Sequence, residues 1–131
     1  MNPFDDVVLA VRSFSYRDIF GQDRWEQFTP VFVSLTVVGD TTYKGRLRVV
    51  GKQCQFQVQF QAVTSIASTA GTTYLELPIT AVGIGGVATM TNDTTNIAVG
   101  VAHICETLQG CFLPTQGASA DVFMLCGWYE I

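Results

Sequence analysis

Polar and apolar residues alternate strictly along residues 53–63, whose sequence is QCQFQVQFQAV. Glutamine occupies every second position from Gln53 to Gln61, and Cys, Phe, Val, Phe and Ala follow the successive glutamines. A period of two predicts a β-strand with its apolar face on a core. The glutamine face has no Lys or Glu, which a face in open solvent usually carries. The pattern predicts that this face is covered by something that accepts hydrogen bonds and disfavours charge.

Similar strand patterns recur along the rest of the chain. They are rich in Val, Thr, Phe and Tyr, which favour pleated, half-buried surfaces, and turn signals such as Gly39-Asp40 and Gly51-Lys52 separate them. The predicted strands are residues 7–14, 28–38, 43–50, 53–63, 72–79, 86–91, 95–104 and 121–131. Their spacing predicts an all-β fold, an antiparallel β-sandwich or jelly roll of about eight strands, because a βαβ fold would need helices between them.

The first 24 residues differ from the rest. They contain four Asp residues, show no regular repeat of turns, and carry a short helical pattern over Tyr16–Trp25. We expect residues 1–24 to form an N-terminal arm or attachment segment and residues 25–131 to form the β-sandwich domain. The arm either reaches a neighbouring subunit or packs as an ordinary first strand on its own domain. Its candidate attachment residues are Phe4, Val8, Phe14, Tyr16 and Phe20.

Composition adds information about partners. Only 14% of the 131 residues are charged and 48% are hydrophobic, against about 25% charged in an average soluble protein, which predicts surface hidden in an assembly. The net charge of −4 argues against a nucleic-acid partner. The basic residues at positions 44, 46, 48 and 52 alternate along one strand and are interpreted as a solvent-exposed edge.

No signal-peptide pattern and no membrane-length apolar run is visible, so we expect synthesis in the cytosol without secretion by a signal route, and no membrane partner. In that compartment the four cysteines should be thiols. Cys54 and Cys126 fall in strand patterns, where a thiol acts as a small apolar side chain. Cys105 and Cys111 could be bridged if the mature protein meets oxidising conditions.

Catalytic and metal chemistry finds little support. His103 and Cys105 share a strand face, but neighbours two apart are seldom within hydrogen-bonding reach. The Cys105–Cys111 spacing is too wide for zinc. Residues 83–88 match a dinucleotide fingerprint formally, yet the Thr- and Asn-rich stretch that follows favours no helix. Carboxylates for glycoside hydrolysis have no local reason to converge; they would come from Asp40, Glu76, Asp93, Glu106, Asp121 and Glu130. We expect no enzyme activity, no catalytic residue, no metal and no cofactor.

Several blocks, taken in order, resemble a known family. Residues 45–52, GRLRVVGK, are similar to a G-R-Y-x-x-x-G-K block, and Trp25 with Thr29-Pro30 is similar to the W…T-P that opens the same domain. Leu77-Pro78 is similar to its central L-P, and residues 127–131, GWYEI, are similar to its closing G-x-Y. The domain occurs in tailed-phage virions, at the distal ends of tail fibres and in other particle-surface proteins. Leu47 departs from the family's usual Tyr, and no fibre shaft precedes the domain.

The resemblance, over about residues 25–131, implies a homotrimeric β-sandwich without catalytic residues. Near a threefold axis each residue meets its own copies, where like charges would repel, whereas an amide both donates and accepts. We therefore expect Gln55, Gln57 and Gln59 to form a subunit interface, with a solvated face as the alternative. Replacing Gln57 with Glu is expected to weaken the oligomer.

Three functions remain open at this stage. The first is a non-enzymatic exterior virion protein that decorates and cements the capsid, with itself and the major capsid protein or another virion protein as partners. The second is a short tail fibre or tail tip protein whose exposed loops, residues 91–96 or 107–116, bind a host-surface receptor. The third is a small hydrolase of cell-surface polysaccharide, which predicts a cleft with two close carboxylates.

Overall fold

The computed structural model describes residues 24–131, and every regular element in that range is a β-strand. The described strands are β1 (Glu26–Phe28), β2 (Phe32–Val33), β3 (Thr36–Val38), β4 (Thr41–Val50), β5 (Gln53–Ala62), β6 (Ser65–Ser68), β7 (Tyr74–Glu76), β8 (Gly86–Asn92), β9 (Ile97–Cys105), β10 (Gly110–Phe112), β11 (Gln116–Ser119) and β12 (Phe123–Glu130). In this range no helix is long and apolar enough to cross a bilayer. The predicted all-β class is confirmed.

Nine strands form one large sheet in the order β1-β4-β5-β12-β8-β9-β10-β7-β2, and β11, β6 and β3 form a small one. All recorded strand pairs are antiparallel. The long strands lie together near the middle of the large sheet, because β12 pairs with β5 on one side and with β8 on the other. The large sheet therefore depends on contacts between residues far apart in sequence.

The large sheet curves until its two ends face each other across the core. Phe32 lies on β2, the strand at one end of the sheet order. Its ring centroid is 4.8 Å from that of Phe60 and 5.7 Å from that of Tyr43. On the inner side of β5, Phe60 also stacks on Phe123 at 5.8 Å. This enclosure of a core between two antiparallel layers is consistent with a β-sandwich.

The alternation along residues 53–62 is confirmed. All five apolar residues of β5 are buried to 1% exposure or less, while the glutamines between them are half-buried or exposed. The turn that joins β4 to β5 has two residues, Gly51 and Lys52. Gly51 has a φ of 60°, a left-handed conformation that costs glycine little and that two-residue hairpin turns require. This turn fixes which β4 residue lies opposite each β5 residue.

The strand count differs from the expected eight or so, because twelve strands are present in the described range. The predicted strand at 28–38 is divided among β1, β2 and β3. Pro30 has no N–H to donate to a ladder, and Ser34 has a φ of 60°, outside the extended region. Strands β6, β10 and β11 were not predicted. They are three or four residues long and consist mainly of small residues, so they carry little periodic signal.

Several predictions concern residues outside the described range. These are the strand at 7–14, the arm apart from Arg24, most of the helical pattern at 16–25, and the attachment residues Phe4, Val8, Phe14, Tyr16 and Phe20. The described part of the helical pattern, Arg24 and Trp25, is a bend and an irregular residue.

Candidate functional site

The outward side of the large sheet contains the predicted interface residues. Gln55, Gln57 and Gln59 are half-buried and lie on the side of β5 opposite the core. Their neighbours on β12 are Trp128, Cys126 and Met124, in that order. Contact with a second copy is not tested by this arrangement, so the subunit interface stays a prediction. We call this side of the sheet the outer face.

The basic residues of β4 lie beside the glutamines. Lys44 is opposite Gln59, Arg46 opposite Gln57 and Arg48 opposite Gln55. Arg46 Nε donates to Gln57 Oε1 at 2.7 Å, and Arg48 Nε donates to Gln55 Oε1 at 2.7 Å. The interpretation of these residues as a plain solvent-exposed edge is therefore wrong in part, because β1 is the edge strand and covers β4 at residues 45–47.

Trp25 packs over both arginines. Its ring centroid lies 4.6 Å from Cζ of Arg46 and 4.9 Å from Cζ of Arg48. At these distances the indole attracts each guanidinium through a cation–π interaction. One indole and two amides therefore hold the two guanidinium groups in fixed orientations, and the side chains involved lie on three strands or their flanks.

Two shallow grooves run along this part of the outer face. The first, about 350 Å³, is lined by Trp25, Arg48, Gln55, Gln57 and Trp128 among others. The second, about 670 Å³, lies on the other side of Arg46 and Gln57, and its lining includes Lys44, Gln59 and Met124. Both grooves combine guanidinium or ammonium groups, amides and apolar surface.

Toward β9 the outer face carries exposed apolar side chains in place of arginines and glutamines. Val101 and Leu108 are 71% and 59% exposed. Both line an apolar groove of about 490 Å³, together with residues that include Phe112 and Pro114. We call Val101, Leu108 and this groove the apolar band. A band of this kind is typical of a surface that a partner covers.

The first two sequence blocks that carry the family resemblance lie against each other. A side chain at Gly45 would come within 2.9 Å of both the Phe28 carbonyl oxygen and Pro30 Cγ. Only glycine therefore lets the Thr29-Pro30 segment pack on β4. Trp25 reaches the same strand through Arg46 and Arg48.

The closing block bonds to the residue that follows Leu77-Pro78. The Tyr129 hydroxyl donates to the Ile79 carbonyl oxygen at 2.8 Å and accepts from the Ile79 N–H at 3.0 Å. These bonds fasten the segment that follows Leu77-Pro78 to the closing strand. Gly127 is required for packing, because a side chain there would come within 2.6 Å of Ala88 Cβ.

Two cysteines are core residues. Burial raises the pKa of Cys54 to about 11 and that of Cys111 to about 12, so both thiols stay protonated near neutral pH. Burial also raises the pKa of Tyr129. Cys105 and Cys111 are free thiols. Cys111 is opposite Ile104, so Cys105 points to the other side of the sheet and the two sulfurs cannot be bridged.

His103 and Cys105 both line the apolar groove. Their strand positions give no indication of a nucleophile and its base, because successive residues on one side of a strand lie about 7 Å apart. Residues 83–85 form a loop before β8 and residues 86–88 lie within β8, so the dinucleotide-like match has no helix after it.

Three of the six candidate acidic residues have local hydrogen-bond partners. Asp121 accepts from Asn92 Nδ2 at 2.9 Å, Asp93 accepts from Thr91 Oγ1 at 3.3 Å, and Glu130 accepts from the Gly85 N–H at 3.2 Å. Among residues 24–131 no group of three or more His, Cys, Asp or Glu side chains could hold a metal ion. These contacts orient turns and strand ends.

The two loops proposed for receptor binding differ in structure. Residues 91–96 span the β8–β9 turn, where Asn92 Oδ1 accepts from the N–H groups of Thr94 and Thr95, both at 3.0 Å. Residues 107–116 include β10, which lies inside the large sheet. Only the first is a simple exposed turn.

Sequence reasoning missed the contacts between the arginines and the glutamines, although a signal was present. A two-residue turn at Gly51-Lys52 places residue 48 opposite 55 and residue 46 opposite 57. The position of Trp25 had no comparable signal, because it depends on β1 folding back onto β4. No protein-family model, curated protein or solved structure matches this chain.

Proposed function

We propose that this chain is a non-enzymatic protein on the exterior of a tailed-phage virion, where it forms a homotrimer that decorates and cements the capsid. The observation that carries the proposal is the apolar band. Val101 and Leu108 are both more than half exposed in the single chain, and only 14% of the residues are charged. Covering such a band removes apolar surface from water and stabilises an assembly.

A second copy of the chain is the partner that best fits the band. In a threefold assembly one patch contacts a different patch on the next subunit. Uncharged surface avoids the repulsion that equivalent charges would produce near the axis. The predicted contact through Gln55, Gln57 and Gln59 is less favourable than the sequence indicates. Two of these amides already accept hydrogen bonds from arginines of their own chain, which leaves their N–H groups for a partner.

The virion assignment is supported by the family resemblance. Of the blocks that carry it, spread over about residues 25–131, the first two lie against each other at Gly45 and Pro30, and Tyr129 of the closing block bonds to Ile79, the residue after Leu77-Pro78. In the proposal, residues 1–24 attach the trimer to the particle, and Phe4, Val8, Phe14, Tyr16 and Phe20 supply the apolar contacts. This attachment stays a prediction.

Light scattering on the purified full chain tests the oligomer. The expected mass is three times the chain mass of 14.3 kDa. Val101→Glu should shift the mass toward a single chain, because it introduces a charge into the covered band. Val63→Glu is the matched control, since Val63 is 73% exposed but lies on the turn after β5. A single-chain mass for the unchanged protein would overturn the trimer.

The virion role needs a separate measurement. Purified particles of a phage that encodes this chain should contain it in hundreds of copies if it decorates the capsid. A few copies located at the tail would support the alternative, a tail fibre or tail tip protein that binds a host receptor. Complete absence from purified particles would overturn both.

A further inference from the structure

We propose that the groove between Trp25 and Trp128 binds a carboxylate-bearing sugar. The groove has a volume of about 350 Å³ and also contains Arg48, Gln55 and Gln57. That volume falls in the range of small-ligand sites, roughly 300–1,000 Å³. The groove is part of each single chain and lies outside the apolar band, so this inference does not depend on a trimer that forms through that band. It excludes a subunit contact through Gln55 and Gln57, because both residues line the groove.

The polar groups of the groove are mainly hydrogen-bond donors. The two glutamine oxygens are already used, since Gln55 Oε1 accepts from Arg48 and Gln57 Oε1 accepts from Arg46, each at 2.7 Å. The amide N–H groups of Gln55 and Gln57 take no part in these two bonds. The Arg48 guanidinium has five N–H donors and uses one of them for the bond to Gln55. A ligand that matches this lining must supply acceptor oxygens.

Fixed guanidinium orientation favours a carboxylate among acceptor ligands. The planar guanidinium of arginine can bind both oxygens of one carboxylate, and such charge-assisted bonds are about twice as strong as neutral ones. Trp25, whose ring centroid lies 4.9 Å from Cζ of Arg48, and the Gln55 amide orient this guanidinium before a ligand arrives. Preorganisation of this kind lowers the entropic cost of binding.

The apolar part of the lining favours a ring. Trp128 is half-buried on the outer face, opposite Gln55, with Val87 on its other side. An indole offers a flat apolar surface with a polar N–H at its edge, which suits a pyranose ring with apolar C–H groups on one side and hydroxyls around its rim. An acidic peptide would satisfy the arginines but would leave this surface unused. A uronic acid satisfies both.

Intrinsic fluorescence tests the proposal on the full chain, because the chain has two tryptophans and both line this groove. Trigalacturonate is the probe. Maltotriose lacks the carboxylates, triglutamate lacks the rings, and inorganic phosphate supplies an anion alone. Trigalacturonate should produce a saturable change, and the three other compounds should bind at least tenfold more weakly. Saturation-transfer NMR on the sugar protons provides a second readout that does not depend on indole emission.

Three variants locate the site. Arg48→Gln and Trp128→Ala should each weaken trigalacturonate binding at least tenfold, the first through the lost charged bond and the second through the lost ring contact. Lys52→Gln is the matched control, because it removes the same charge from the hairpin turn outside the groove. Circular dichroism and the melting temperature establish that each variant is folded.

The outcomes separate the alternatives. Equal binding of triglutamate or phosphate, or binding that survives Trp128→Ala, would show a charged patch without sugar specificity and overturn the proposal. Equal binding of maltotriose would overturn the carboxylate requirement. No saturable binding of trigalacturonate would overturn the site itself. The oligomer is judged separately by light scattering, so a single-chain protein that binds the sugar would contradict the trimer alone.

Discussion

The ten residues of strand β5 alternate between its two sides, five on each, and different forces hold the two sides in place. On the inner side all five side chains are buried to 1% exposure or less, and Phe56 and Phe60 pack on aromatic rings of β12 at 5.9 and 5.8 Å. On the outer side, Gln55 and Gln57 are held by hydrogen bonds from individual arginines. Burial is non-directional and tolerates exchange among apolar residues of similar volume. Hydrogen bonds need particular donors and acceptors. The residue types on the outer side are therefore more informative about ligand or partner binding than those on the inner side.

The largest effect is expected from the aromatic residues of the inner side. Phe56→Ala should lower the free energy of unfolding by about 3–5 kcal/mol, because it removes buried surface and leaves a cavity. Gln57→Ala, one position along the same strand, should change it by about 1 kcal/mol or less. Urea unfolding of both variants measures the difference. Equal losses would show that the outer side stabilises the fold as strongly as the core does.

The core side of β12 carries a polar contact whose loss should have the next largest effect on stability. Tyr129→Phe keeps the ring but removes both hydrogen bonds to the Ile79 backbone, at 2.8 and 3.0 Å. Leaving these half-buried groups unpaired should cost about 1–3 kcal/mol. Hydrogen exchange at the Ile79 amide should accelerate more than exchange in β4. Unchanged stability would indicate that water replaces the hydroxyl.

Alkaline pH should lower the free energy of unfolding through two buried thiols of the core. The pKa values of Cys54 and Cys111 are raised from 9.0 to about 11 and about 12, so the folded state favours the protonated thiols. This contribution is complete below pH 9 and is lost as pH rises from 9 toward those values, at about 1 kcal/mol per pH unit for each thiol.

The free energy of unfolding under reducing conditions at about pH 7, 9 and 10.5 measures this loss. Cys111→Ala should be less stable throughout because of its cavity, but its stability should depend less on pH in the alkaline range. The same dependence in both proteins would rule out Cys111 as a contributor.

The smallest effect is expected on the outer side. Gln57→Glu places a carboxylate where Arg46 Nε lies 2.7 Å from the present amide oxygen. Because this pair is exposed, the single chain should gain about 0–1 kcal/mol. The sequence-based expectation that Glu weakens the oligomer is tested on the same variant by light scattering. A trimer that persists in the Gln57→Glu variant would place the subunit contact elsewhere, as the apolar band indicates.

How far the sequence predicts this fold depends on the length of each element. The ten-residue strands β4 and β5 carry enough alternation to be located within two residues of their observed ends. The segment 28–38 was wrongly predicted as one strand because its apolar residues continue across Pro30 and Ser34, where the backbone cannot stay in a ladder. Strands of three or four small residues, such as β10 and β11, form because their neighbours supply hydrogen-bonding partners.

The candidate sites, too, could be predicted from the sequence only in part. The outward orientation of the glutamines follows from the period of two, and their pairing with arginines follows from the Gly51-Lys52 turn. The apolar band and the groove cannot be derived in this way. Val101 and Trp128 are on different strands, and Trp25 precedes the whole sheet. Their shared surface exists only after distant segments have paired, and single-strand patterns contain no information on that pairing.

The central place of β12 has a consequence for synthesis on the ribosome. It is the last described strand to be translated, yet it joins β5 to β8 and so connects the two halves of the large sheet. Until it emerges, both of those strands expose unpaired edges to other nascent chains. Folding must therefore finish late, through contacts of long sequence separation, which are slow to form. Cells that produce this protein should benefit from a chaperone that shields these edges during that interval.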